Sequence, residues 1–249
     1  MLKVDIKKII LNTNGVNRGL LRNIVFTLSE NNIYTILGKN GSGKSTLIKS
    51  LTGLLNKNLY KVDGKVFWFD ENIFEMETAR LLDLRKREIK YVLQDLTNNY
   101  DPLKKLKYYF DISGFDEKAI PIYLQSFLLP DYQTISNLHS YEISGGMAQR
   151  LSLMFAVFSN PKLLILDEPT SAIDYANINL IKLKLMDFKK TGGSVLIVTQ
   201  DINFAKEISD QIAFLQDGEV SEFINSSSFF SDSIQKPYSV FLQSFNELQ

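Results

Sequence analysis

The sequence predicts an α/β fold with a mostly parallel core sheet, opened by a block of strands and interrupted by a helical insertion. Three observations carry that expectation. KLLILDE, SVLIVTQ and QIAFLQDG each hold a run of apolar residues short enough for a strand. Helical patterns alternate with these runs, and a glycine-rich turn at Gly38–Gly43 joins another such run to a helix. Apolar strands interleaved with helices belong to parallel sheets covered on both faces.

Taken in order, KVDIKKII, LRNIVFTLS and NIYTILG read as strands, and STLIKSLTGLL reads as a helix ended by Asn56. KVFWFD is a short strand, with Trp68 assigned to the core rather than to a ligand. From Tyr100 to Tyr141 the texture becomes aromatic-rich helix broken by Gly114, Pro121 and Pro130. SGGMAQRLSLMFAVFS is then helical, KLLILDE a buried strand, Tyr175–Lys190 a helix and SVLIVTQ another buried strand. A helix around Asn203–Ser209 leads to QIAFLQDG, a strand ending in a turn.

The composition narrows the function classes. Lys plus Arg and Asp plus Glu number 28 each, so the formal charge is zero and the electrostatic footprint of a general nucleic-acid binder is missing. Without cysteine there is no disulfide, no thiolate nucleophile and no cysteine metal site. MLKVDIKKIILNTN is not expected to be a secretory signal. The longest apolar run, LSLMFAVF, has the length of a core helix, so any membrane role is expected to go through a partner.

GKNGSGKST, comprising Gly38, Lys39, Asn40, Gly41, Ser42, Gly43, Lys44, Ser45 and Thr46, matches GxxxxGK[ST] between a strand and a helix. Glycines let backbone N–H groups turn around phosphate oxygens, and the following helix N-terminus adds partial positive charge. Lys44 can reach the β- and γ-phosphates, and the Ser45 hydroxyl suits Mg2+. The bland alternative, a chance glycine turn, is opposed by the strand–loop–helix setting. This is the pattern of a P-loop NTPase.

In KLLILDEPT, Asp167 ends a buried strand and can hold Mg2+ through its water shell, while Glu168, one residue on, can orient or deprotonate water. A solvated acidic turn is the competing reading. YEISGGMAQR supplies Ser144 as a helix N-cap, followed by Gly145 and Gly146.

The order phosphate loop, Gln94, SGG, LLILDEPTSAID resembles the nucleotide-binding subunit of an ABC transporter over essentially the whole chain. The resemblance implies one ABC-type nucleotide-binding domain over 1–249, with an antiparallel N-terminal β-subdomain. Residues 1–96 and 146–230 would form the ATPase lobe, 97–145 a helical subdomain facing the permeases and 231–249 a tail. It implies ATP and Mg2+ as ligands and a head-to-tail dimer in which Ser144, Gly145 and Gly146 close on the partner's nucleotide. Gln94 would contact Mg2+ and the attacking water, Ser171 to Asp174 would cross the dimer interface, and Glu168 would handle the water. The implied partners are a second ABC ATPase subunit, identical or not, two transmembrane permeases and, indirectly, an extracytoplasmic substrate-binding protein. No nucleic acid is implied, and the place is the cytoplasmic face of the membrane. Met147 after SGG and the Pro-Tyr element in QKPYSVFLQS resemble importers of peptides, nickel or metal chelates.

Two positions depart from the family pattern. No aromatic precedes Phe26, so Leu11–Val16 offers adenine only aliphatic and polar contacts. Gln200 stands where the family has histidine, and the single histidine, His139, lies ahead of SGG. A glutamine amide hydrogen-bonds a phosphate oxygen but neither carries charge nor titrates, so a slowed site is expected. A nucleotide-gated clamp with little turnover and a soluble ABC protein outside transport stay open at this stage.

Overall fold

The computed structural model describes residues 1–13, 15–93, 100–171 and 174–231. Along the chain the strands are β1 (Leu2–Thr13), β2 (Val16–Leu28), β3 (Ile33–Leu37), β4 (Tyr60–Trp68), β5 (Glu71–Asn72) and β6 (Ile89–Val92). They continue as β7 (Leu163–Asp167), β8 (Ser194–Thr199), β9 (Gln211–Gln216), β10 (Glu219–Val220) and β11 (Ile224–Asn225). The helices are α1 (Lys44–Leu51), α2 (Thr78–Asp83), α3 (Lys107–Ser113), α4 (Ile120–Ser126) and α5 (Tyr132–Ser136). After them come α6 (Gly145–Phe158), α7 (Tyr175–Lys190), α8 (Ile202–Ile208) and α9 (Ser226–Ser231). The chain divides into two compact units, one of Met1–Leu81 with Leu196–Gln249, the other of Leu82–Val195.

The first unit contains an antiparallel sheet in the order β2-β1-β4-β5. In β1 the alternation is clean at first: Leu2, Val4 and Ile6 are buried while Lys3 and Asp5 are exposed. It then slips, and Ile9 is the next buried residue. The slip coincides with a register shift against β4 between Ile6 and Lys8. Opposite it sits Gly64 at φ 141°, where a Cβ would lie 2.3 Å from the Asp5 carbonyl oxygen. An extra residue in one strand reverses which parity faces the core, and only glycine fits the crossing point.

In the same unit β3 is buried at all five residues and pairs in parallel with β9, Ile36 opposite Ala213. A strand covered on both faces carries a continuous apolar run, which is why IYTIL shows no alternation. Leu37, Ile202, Ala205, Ile212, Phe214 and Phe229 form one buried cluster that seats α8 and α9 against these strands. Trp68 is fully buried and meets Phe69 edge to face, as a core residue does.

In the second unit β6 and β7 are parallel, with Tyr91 opposite Ile165. The helical stretch packs through aromatic rings: Phe110 lies 5.0 Å from Phe155, and Tyr123 stacks on Phe158 at 3.6 Å. Phe155 and Phe158 belong to α6, so the aromatic texture of the insertion exists to cover that helix.

The fold is of mixed α/β structure, with an antiparallel N-terminal sheet and parallel pairing among the core strands. β4 begins at Tyr60, ahead of the expected KVFWFD, because its first residues are polar and half-exposed. Also unforeseen are α2, a π-helical turn at Leu84–Glu88, and the short elements β10, β11 and α9. Among the described residues, no helix is long and apolar enough to cross a membrane.

Candidate active site

The phosphate loop begins where β3 ends. The Gly38 N–H donates to the Thr199 carbonyl at 3.2 Å, and the Ser42 N–H donates to the Lys39 carbonyl at 3.2 Å, closing a tight turn. Gly43 follows in the left-handed region at φ 104°, and a Cβ there would meet Leu21 Cδ2 at 2.9 Å. Conformation and space both demand glycine at that point. The chain then enters α1, placing Lys44, Ser45 and Thr46 in its first turn.

Lys44 is 6% exposed, and its ammonium donates to the carbonyls of Gly38 at 2.8 Å and Lys39 at 3.1 Å. A buried cation folded onto its own loop is poised to exchange carbonyl acceptors for phosphate oxygens. The Ser42 hydroxyl oxygen is buried and has no hydrogen-bond partner among the described residues. Buried hydroxyls are nearly always paired, so an unpaired one inside a glycine loop fits a ligand bearing acceptor oxygens. The helix N-terminus adds its dipole. These features fit a nucleotide's phosphates.

Gln200 leaves the carboxyl end of β8 in the same unit. It is exposed, and it is bracketed by order: the Asp201 N–H donates to Thr199 Oγ1 at 3.0 Å, and Asp201 Oδ1 caps α8 by accepting from the Phe204 N–H at 2.9 Å. The residue before Gln200 is therefore the one bonded to the start of the phosphate loop.

In the second unit β7 delivers Asp167, 4% exposed, whose Oδ2 accepts from the Tyr91 hydroxyl at 3.0 Å. Burial, and next the Asp167 charge, push the Tyr91 phenol well above its usual range, so it acts as a neutral donor. Glu168, 7% exposed, takes φ 48° directly before Pro169. That is a left-handed conformation on a residue whose neighbouring proline ring favours extended backbone, and it marks stored strain at an acidic site residue. The reversal is held by Gln149 of α6, whose amide donates to the Pro169 carbonyl, and by the Ser171 N–H donating to the Glu168 carbonyl at 3.1 Å.

Ser144 caps α6, accepting from the Met147 N–H at 3.2 Å, with Gly145 and Gly146 in the first turn. Arg150 of the same helix donates to Asn177 Oδ1, and the Asn177 amide in turn donates to Asp174 Oδ2 at 2.7 Å. Asp174 is itself the N-cap of α7. The turn at SGG and the loop ending in Asp174 are thus tied into one polar chain. His139 is engaged locally, with Nδ1 3.0 Å from Glu142 Oε2 and its ring stacked on Tyr141 at 5.2 Å.

Gln94, Ala172 and Ile173 of SAID, and the QKPYSVFLQS stretch lie outside the described residues. Tyr91, Gln149 and Asn177 escaped the sequence reading. The available signal was a tyrosine among the half-buried residues of a strand, since a hydroxyl removed from water needs a partner. Among the described residues no three His, Cys, Asp or Glu side chains gather as a metal site. Asp167 in the second unit and Ser45 in the first each carry oxygen donors of the hard type that Mg2+ accepts.

A family model described as ABC transporter matches residues 21–171. The chain is 31% identical over 229 residues to the phosphate import ATP-binding protein PstB of Saccharolobus solfataricus, covering 86% of each chain. It is also 31% identical over 227 residues to the dipeptide transport ATP-binding protein DppD of Caldanaerobacter subterraneus subsp. tengcongensis, covering 86% of this chain and 69% of that one. A solved dimeric, post-hydrolysis structure of the ATP-binding cassette MJ0796, bound to ADP and Pi, is similar with a TM-score of 0.78 and 25% identity. That match covers 91% of this chain and 99% of the other.

Proposed function

The chain belongs to the ABC transporter family, and on that premise we propose that it is the ATP-hydrolysing subunit of an importer. The single observation that carries the reading is the loop around Lys44: a buried ammonium, a buried Ser42 hydroxyl without a partner among the described residues and a helix N-terminus in one short segment. Each of these favours an anion rich in acceptor oxygens.

In this reading Lys44 and the loop amides hold the β- and γ-phosphates and stabilise charge as the γ-phosphoryl departs. Bound Mg2+ would supply charge neutralisation across those phosphates, with Ser45, Asp167 and Gln94 on its side. Glu168 orients the attacking water, and its strained backbone fixes the carboxylate's direction. Gln200 offers an amide to a γ-phosphate oxygen. Ser144, Gly145 and Gly146 serve the nucleotide of a head-to-tail partner subunit.

Transport is supported by a groove of about 780 Å3 in the second unit, whose lining includes Lys86, Arg87 and Lys90 together with Tyr109, Phe155 and Phe158. A lining of aromatic and basic residues suits a short helix from one of two permeases, at the cytoplasmic face of the membrane. A substrate-binding protein would act at a distance, and no nucleic acid is involved. Met147 and the Pro-Tyr element favour peptides, nickel or metal chelates as cargo.

A second reading, a nucleotide-gated clamp with little turnover, is favoured by Gln200, which cannot become cationic. ATPase rates of the purified dimer with Gln200→His and with Glu168→Gln separate the two. The importer engine requires Glu168→Gln to abolish measurable turnover, whereas background turnover in the wild type and both variants leaves the clamp.

A further inference from the structure

We propose that Tyr91 is a positioning residue for the metal: its hydroxyl fixes the rotation of the Asp167 carboxylate so that this acid meets the Mg2+ shell in one orientation. The proposal rests on the reading of Asp167 as the Mg2+ carboxylate. Its geometry is local and specific. Tyr91 and Asp167 lie on adjacent parallel strands, and the register sets Tyr91 opposite Ile165, two residues before Asp167 and hence on the same face. From there the phenol reaches Asp167 Oδ2 at 3.0 Å.

A carboxylate at a strand end turns about its terminal torsion through a broad, shallow well. A hydroxyl bonded to a named oxygen restricts that freedom; Asp167 is 4% exposed and Tyr91 half-buried, so water does not replace the bond cheaply. Groups that orient metal-ligating carboxylates in this way commonly change metal affinity by roughly tenfold or more when removed.

The test is binding of a fluorescent ATP analogue to the full chain, titrated with Mg2+, for the wild type, Tyr91→Phe and Asp167→Asn. Tyr91→Phe keeps the ring in its packing and deletes only the hydroxyl. The expected result is a roughly tenfold higher Mg2+ concentration at half-effect. Analogue binding in excess chelator stays unchanged, which shows that the phosphate loop is intact. In steady-state hydrolysis the same variant should raise the Mg2+ requirement while KM for ATP at saturating Mg2+ stays put. If Asp167→Asn shifts the Mg2+ titration and Tyr91→Phe superimposes on the wild type, the positioning role is overturned. If Asp167→Asn itself leaves the titration unmoved, the assignment of Asp167 falls, and the Tyr91 role falls with it. Loss of chelator-resistant analogue binding in Tyr91→Phe likewise overturns the proposal, because the hydroxyl would then support the fold rather than the metal.

Discussion

The Gly38 backbone N–H donates to the Thr199 carbonyl at 3.2 Å, so the first residue of the phosphate loop is anchored to the last residue of the strand that presents Gln200. Asp201 then holds the chain on the far side of Gln200 through Thr199 Oγ1 and the α8 cap. A side chain leaving so constrained a peptide has a defined origin beside the loop. Its chemistry, rather than its placement, sets what the site does.

Gln200→His should therefore speed phosphate release, because imidazolium forms a charge-assisted bond where glutamine forms a neutral one. The difference is about 1 kcal/mol, or roughly fivefold in rate. The gain belongs to the protonated ring, so it should be present below roughly pH 6.5 and fade above it. Rates of wild type and variant across that range check this, and parallel pH profiles would contradict it.

Ser42→Ala should move two quantities in opposite directions. The buried hydroxyl has no partner among the described residues, so removing it should leave thermal stability equal or higher. ATP affinity should fall about fivefold through loss of roughly 1 kcal/mol of hydrogen bonding. Calorimetric melting and titration on the same preparation read both.

Gly64→Ala should destabilise the chain by about 1–3 kcal/mol, since the new Cβ would sit 2.3 Å from the Asp5 carbonyl oxygen at φ 141°. Denaturant melts give the value. A neutral result would mean that the β1–β4 crossing relaxes without cost.

Asn177→Ala removes the link between Arg150 and Asp174, leaving a half-buried guanidinium short of an acceptor, at about 1–3 kcal/mol. Nucleotide binding by the isolated chain should survive, while hydrolysis that depends on dimer closure should drop.

Much of the candidate site is legible because its residues stand in consecutive positions. GKNGSGKST, SGG and LDE each occupy one turn or one strand end, and local sequence dictates those. The buried strands were equally plain, and α7 spans Tyr175–Lys190 as its periodicity suggests. What stayed hidden was long-range. Tyr91 reads as another apolar strand residue until the parallel register brings it to Asp167, 76 positions away. Gln149 reads as helix surface until its amide meets the Pro169 carbonyl. The β1 bulge was illegible because its cause, Gly64, lies on a strand far along the chain. The SSSFFS helix was missed because its only apolar residues are Phe229, which is buried, and Phe230, which packs beside it.

Phosphate release from ATP by the purified subunit paired with its partner, wild type against Glu168→Gln and Lys44→Ala, tests the central claim most directly. An engine built as described gives steady release in the wild type. Release falls by at least about a hundredfold in Glu168→Gln with ATP still bound, and both binding and release are lost in Lys44→Ala. Wild-type release that persists undiminished in Glu168→Gln, or ATP binding that survives in Lys44→Ala, would contradict the account.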